Sequence, residues 1–154
     1  PLDRIDRKIL RALQADGRLS NVELARRVNL SPTPCLERVR RLERVGYIRG
    51  YRADLAPDKL GAGLLVFVQV ILDRTTPDVF EQFREAAAAL PEVIECHMVA
   101  GGFDYLLKVR VRDMPAYRHF LGERLTALGG VAQTHTYVVM VEVKSDAPLP
   151  VPEA

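Results

Sequence analysis

Apolar side chains recur at Leu2, Ile5, Ile9, Leu10 and Leu13, a three-and-four spacing that gathers them on one face of a helix. Asp3 stands where an N-cap belongs, and Gly17 lies just past the end. A second, shorter stripe is made of Val22, Leu24, Ala25 and Val28. It follows Ser20, with Glu23 three positions later, which is a capping-box signature. Asn29 to Pro34 interrupts this pattern. Ser31-Pro32 and Thr33-Pro34 each place a hydroxyl cap before a proline at the first helical position, where a missing N–H is harmless, so either pair starts a third helix. In that helix Cys35 or Leu36, Val39, Leu42 and Val45 face inward, whereas Glu37, Arg38, Arg40, Arg41, Glu43 and Arg44 face out. Gly46 ends it as a left-handed cap. Tyr47 to Arg52 suits an extended segment, and residues 51–63, with Pro57 and two glycines, form a strand and linker.

The periodicity changes at Leu64. Leu64 to Leu72 is a continuous apolar run of strand length, and Pro77 opens a helix with Val79, Phe80, Phe83, Ala87 and Leu90 on one side. Val93 to Ala100 and Tyr105 to Arg112 read as strands joined by the hairpin Gly101-Gly102-Phe103-Asp104. The second of them alternates Leu107, Val109 and Val111 with Lys108, Arg110 and Arg112. Pro115 to Leu128 predicts another helix, and Val131 to Lys144 a long last strand. The order β-α-β-β-α-β is that of the split βαβ, or ferredoxin-like, fold. The expected class is therefore α+β: a winged or three-helix helix-turn-helix domain over 1–50, the linker over 51–63, and a ferredoxin-like domain over 64–146. Residues 147–154, rich in proline, are expected to form a flexible tail.

Charge sharpens the division. The 154-residue chain has a net charge of only +2, but residues 1–50 hold twelve Lys and Arg against six Asp and Glu, and the remainder ten against fourteen. The first third is thus about +6 and the rest about −4. Clustered cations at one end suit a polyanionic partner. Cys35 and Cys96 have no metal-ligand spacing around them and are compatible with a reducing cytosol. No apolar run is long enough for a membrane span, and no secretory signal is visible. His97, His119 and His135 are scattered, and neither a Ser/His/Asp set nor a glycine-rich phosphate loop accompanies them. No catalytic, metal or cofactor site is expected.

A short capped helix, a proline-containing turn and an arginine-rich helix form a device for reading double-stranded DNA. The second helix of such a motif enters the major groove with its N-terminal residues against base edges, which places Ser31, Thr33, Pro34 and Cys35 at or near the DNA. Arg38 and Arg41 follow one turn on. An arginine can fork onto guanine, for about 1–3 kcal/mol of discrimination, or clamp a phosphate without reading sequence. Arg26, Arg27, Arg40 and Arg44 suit contacts to the DNA backbone or plain helix-surface charge, with Glu37 and Arg41 spaced for an i,i+4 pair. A small buried residue is an equally good reading of Cys35.

The chain resembles the Lrp/AsnC, or feast/famine, family of transcriptional regulators over nearly its whole length. The resemblance rests on Leu2-Asp3-x-x-Asp6-x-x-Ile9-Leu10, the run Ser31-Pro32-Thr33-Pro34-Cys35-Leu36-Glu37-Arg38-Val39-Arg40-Arg41-Leu42-Glu43, Gly101-x-x-Asp104-Tyr105 and Thr136-Tyr137-Val138-Val139. It looks closest to the leucine-responsive branch, through Asp78 to Phe83, Glu95-Cys96-His97 and Phe103 to Lys108. The resemblance implies control of amino-acid metabolism genes by a cytoplasmic, nucleoid-associated protein. It also implies dimers assembling into octamers or larger forms, and a leucine-like neutral amino acid bound at a subunit interface. Gly101, Gly102, Phe103, Asp104 and Tyr105 would form the effector site, because a carboxylate beside free loop N–H groups suits the two ends of an α-amino acid. Met98, Tyr137, Val138 and Val139, and more remotely Thr134 and Thr136, would supply its walls. An architectural DNA-wrapping protein without ligand control is the alternative reading.

Overall fold

The computed structural model describes residues 1–153, and these form two compact units: residues 1–54 together with the segment from Lys144 onward, and residues 55–143. The expected tail over 147–154 therefore belongs with the first unit, and only Ala154 lies outside the described residues.

The first unit contains α1 (Arg4–Ala15), α2 (Asn21–Arg27) and α3 (Pro32–Val45). Helix α1 starts on a reciprocal cap, in which the Asp6 N–H donates to Asp3 Oδ1 at 2.8 Å and the Asp3 N–H donates to Asp6 Oδ2 at 3.3 Å. Ser20 caps α2 by accepting from the Glu23 N–H at 3.1 Å. Of the two possible starts of α3, the first is used: Ser31 is the N-cap and Pro32 the first helical residue. Asn29 adopts the left-handed region at φ 59°, which turns the chain sharply between α2 and α3. Asn21 then donates from Nδ2 to the Pro32 carbonyl at 2.8 Å, fixing the start of α3 against α2. Ile9, Leu24, Ala25, Val28, Cys35 and Leu42 form the core between the helices. Gly46, at φ 99°, closes α3. Tyr47 to Arg52, expected as an extended segment, makes no strand ladder among the described residues.

The second unit is a four-stranded antiparallel sheet of β1 (Leu64–Leu72), β2 (Val93–Met98), β3 (Tyr105–Val111) and β4 (Val131–Val138), in the order β2-β3-β1-β4. Helices α4 (Pro77–Ala88) and α5 (Met114–His119) complete the β-α-β-β-α-β order, α5 running on as a wider π turn over Phe120–Leu125. Thr126 closes that turn, its N–H donating to the Leu121 carbonyl and its hydroxyl reaching the Leu121 and Gly122 carbonyls. The side chains of Val66, Val68, Val70, Tyr105, Leu107 and Val109 alternate onto one face and pack on Phe83, Ala87, Tyr117 and Phe120. Each large side chain buried there contributes about 1.5–3 kcal/mol relative to exposure. Strand β4 ends at Val138, earlier than its apolar pattern suggests. Its partner β1 begins at Leu64, and the last backbone bond is from the Val139 N–H to the Leu65 carbonyl at 3.0 Å. Met140, Val141 and Val143 beyond it are exposed.

Candidate DNA interface and effector hairpin

Helix α3 divides its cations into two sets. Thr33, Glu37, Arg40 and Arg44 follow steps of four, three and four residues, and all are exposed, with Ser31 and Pro34 at the same end. Arg40 and Arg44 form no ion pair among the described residues. Arg38 and Arg41 are held inward by α1. Asp6, 1% exposed, accepts from Arg38 Nη1 at 3.0 Å and from Arg41 Nη2 at 2.5 Å, and Asp3 accepts from the same Arg38 nitrogen at 2.6 Å. The Asp6 N–H and the Arg38 guanidinium hold the Asp3 carboxyl below its ordinary pKa. Asp3 and Arg38 draw the start of α1 toward the middle of α3, so these charges orient the reading helix.

This geometry bears on three sets of expected contacts. Arg38 and Arg41 do not stand free on the outer face; Arg41 pairs with Asp6 rather than with Glu37 in its own helix. Cys35 is fully buried, and burial pushes its thiol pKa up, so it belongs to the core and not to a groove-facing surface. Arg26 and Arg27 are exposed but already share Glu23, at 2.6 Å and 3.2 Å, and hydrogen bonding from Arg26 and then Arg27 lowers the Glu23 pKa to about 2. Sequence reasoning missed Asp6 as a functional residue. Its signal was present, since Asp6 lies in the α1 stripe between Leu2 and Ile9, where a carboxylate demands a cationic partner.

The glycine turn between β2 and β3 is built around Asp104. Its N–H donates to the Val70 carbonyl at 2.9 Å, its carbonyl accepts from Val99 at 3.0 Å, and its Oδ2 accepts from the Leu72 N–H at 2.8 Å. Asp104 thus ties the turn to the end of β1, and its Oδ1 has no hydrogen-bond donor among the described residues. Gly101 has φ 156°, and a Cβ at Gly101 or Gly102 would meet nothing within 4 Å, so the tip of the turn is open. The N–H groups of Ala100, Gly101 and Gly102 meet no acceptor among the described residues. Phe103 is half-buried beside them.

The expected walls do not all converge. Tyr105, expected in the effector site, is a core residue, with its ring 4.7 Å from that of Phe83 and its hydroxyl donating to the Phe80 carbonyl at 3.4 Å. Met98 is opposite Tyr105 across the ladder and is exposed at the strand end. Tyr137 is opposite Phe67 and Val138 opposite Val66, so the two successive side chains point to opposite faces of the sheet. Thr136 is on the helix-covered face, its hydroxyl bonded to that of Tyr117, and Thr134 shares that face. Val139 is half-buried just past β4. Among the described residues no group of three His, Cys, Asp or Glu is arranged to hold a metal, and no helix is long and apolar enough to cross a membrane.

Residues 2–49 match the model of a winged helix-turn-helix DNA-binding domain, and residues 65–149 that of the Lrp/AsnC ligand-binding domain. The leucine-responsive regulatory proteins of Klebsiella pneumoniae and Escherichia coli strain K12 are each 66% identical to this chain over 143 residues, covering 93% of it and 87% of the relative. A transcriptional regulator of Neisseria meningitidis, solved in complex with L-Met, superposes with a TM-score of 0.93 at 41% identity, covering 97% of both chains. An AsnC family transcriptional regulator from Agrobacterium tumefaciens superposes with a TM-score of 0.92 at 37% identity, again over 97% of each chain. With a DNA-binding head and a ligand-binding sheet domain both matched, the chain belongs to the Lrp/AsnC family of DNA-binding transcriptional regulators and is not an enzyme.

Proposed function

We propose that this regulator responds to a neutral, leucine-like amino acid bound at the Gly101–Asp104 turn, and that the exposed face of α3 reads its DNA sites. The observation that carries the effector reading is the open turn itself: three unpaired N–H groups lie beside a carboxylate with a free oxygen, complementary to a carboxylate and an ammonium group. The names of relatives support the ligand class, one being leucine-responsive and another solved with L-Met. Gly101, Gly102, Phe103 and Asp104 are the first contacts in this reading, with Met98, Tyr137 and Val139 completing the pocket once a second copy covers the turn. On α3 the set is Ser31, Thr33, Pro34, Glu37, Arg40 and Arg44, while Arg26 and Arg27 at the end of α2 reach phosphates by exchanging Glu23 for DNA. Homodimers assembling into octamers or larger forms, acting on the nucleoid in the cytoplasm on amino-acid metabolism genes, complete the proposal.

A mobility shift of the chain on its own upstream DNA, run with a panel of amino acids, tests both halves. Salt-sensitive retardation that changes with leucine or methionine is the expected result. Retardation indifferent to every amino acid would remove the effector assignment and leave an architectural DNA-wrapping role. No retardation would remove the DNA assignment of α3.

A further inference from the structure

The segment Pro148-Leu149-Pro150-Val151-Pro152 has proline at every second position, so only Leu149 and Val151 within it have an N–H group. Each proline fixes its own φ and pushes the residue before it toward an extended conformation. Such a segment is already extended when free and loses little conformational entropy on docking.

Helix α1 meets this segment with two side chains three residues apart on one face, Arg11 and Gln14. The Gln14 amide pairs with both backbone groups of one residue: its Oε1 accepts from the Leu149 N–H at 2.8 Å, and its Nε2 donates to the Leu149 carbonyl at 2.9 Å. Arg11 Nη2 donates to the Val151 carbonyl at 3.3 Å and to Glu153 Oε1 at 3.1 Å. Val151 is half-buried and, with Leu10, Leu13, Tyr47 and Tyr51, lines a groove on the head. Leu149 keeps its side chain 76% exposed, so its backbone, and not its side chain, is what α1 recognises.

We propose that the Arg11–Gln14 face of α1 is a peptide-binding site for an extended, proline-spaced segment ending in an acid, and that residues 148–153 of the same chain are its occupant. The site selects a residue whose N–H and C=O point the same way between two prolines, followed by a carbonyl and a carboxylate for the guanidinium. Docking keeps the segment with the DNA-binding head, so the chain passes between the two units twice, at residues 54–55 and at residues 143–144.

The chain contains no tryptophan, so Leu149→Trp places a single reporter at an exposed position without touching the backbone bonds. In the intact chain the indole should rotate with the protein. Adding Arg11→Ala and Gln14→Ala should free the segment to move on the nanosecond timescale and lower the anisotropy to about half, with an unchanged far-UV spectrum because both side chains are on the surface. Equal anisotropy in the two chains, or a low value already in Leu149→Trp alone, would overturn the proposal. The anisotropy of Leu149→Trp is also followed on dilution of the full chain: a value that stays at the intact level supports docking within one chain, whereas a fall to that of the triple variant would assign the segment to a neighbouring copy and overturn the intramolecular site.

Discussion

Asp6→Asn removes a charge at the centre of the head while keeping shape and one acceptor for the Asp3 N–H. The wild-type carboxylate is 1% exposed and satisfies Arg38 at 3.0 Å and Arg41 at 2.5 Å. Breaking a fully buried ion pair costs about 3–5 kcal/mol. Here the arginine side chains are 30% and 39% exposed, so they regain water, and Arg38 keeps Asp3. Two charge-assisted bonds at roughly 1.5 kcal/mol each, discounted for that exposure, leave about 2 kcal/mol. For a head of this size that lowers the melting midpoint by roughly 10 °C. Thermal melts followed by circular dichroism supply the first readout. Binding to a specific and a scrambled duplex across a salt series supplies the second. Arginines released from Asp6 can reach phosphates, each adding about 0.9 to the slope of log affinity against log salt. Discrimination between the duplexes should fall as the slope steepens. A midpoint unchanged to within about 0.5 kcal/mol, the ordinary range for a surface substitution, would refute the buried-charge reasoning. A lowered midpoint with unchanged slope and discrimination would show that Asp6 stabilises α3 without orienting it for DNA.

Arg40→Ala should weaken DNA binding and reduce the salt slope by about 0.9, if it contacts one phosphate, while leaving the melting midpoint in place; loss of stability without loss of affinity would contradict its outward placement. Asp104→Ala removes the acceptor for the Leu72 N–H, so it should cost about 1–2 kcal/mol of stability in calorimetry as well as blunt the amino-acid response. A blunted response in a fully stable variant would show that the bond to β1 contributes little. Asp3 titrates below its ordinary value of 3.8 because the Asp6 N–H and then Arg38 favour its carboxylate. Its contribution is therefore complete above that value and is lost as pH falls through the lower folded pKa, which an acid titration of helicity against Asp3→Asn should show as a difference that closes at low pH.

Elements marked by an uninterrupted apolar run or by a conformationally special residue were the most legible in the sequence. The run Leu64–Leu72 became β1 at its expected bounds, and Gly46 closed α3 as its conformational freedom suggested. Strand β4 was overestimated because a ladder needs a partner: the pattern to Lys144 says nothing of where β1 begins. The split among the α3 arginines was invisible for a similar reason. Nothing in the spacing of Arg38, Arg40 and Arg41 shows that carboxylates more than thirty residues away claim two of them. Asp6 was the available clue, a charge set in an apolar stripe. The proline-rich segment was read as flexible because its own side chains promise no packing, yet α1 holds it by backbone groups, which leave no mark in side-chain patterning. At the glycine turn the sequence located the open donors but overassigned the walls, since strand alternation sends Tyr137 and Val138 to opposite faces and the core claims Tyr105.

In the proposed function one chain couples an amino-acid site on the sheet domain to DNA reading by the head. Thermodynamic linkage makes this testable in both directions. DNA affinity is measured with and without saturating leucine, and leucine affinity with and without saturating DNA, at one salt concentration and one assembly state. The two affinities should change by the same factor, and this factor should shrink toward one in Asp104→Ala. Tight binding of both ligands with no change in either affinity would contradict that coupling.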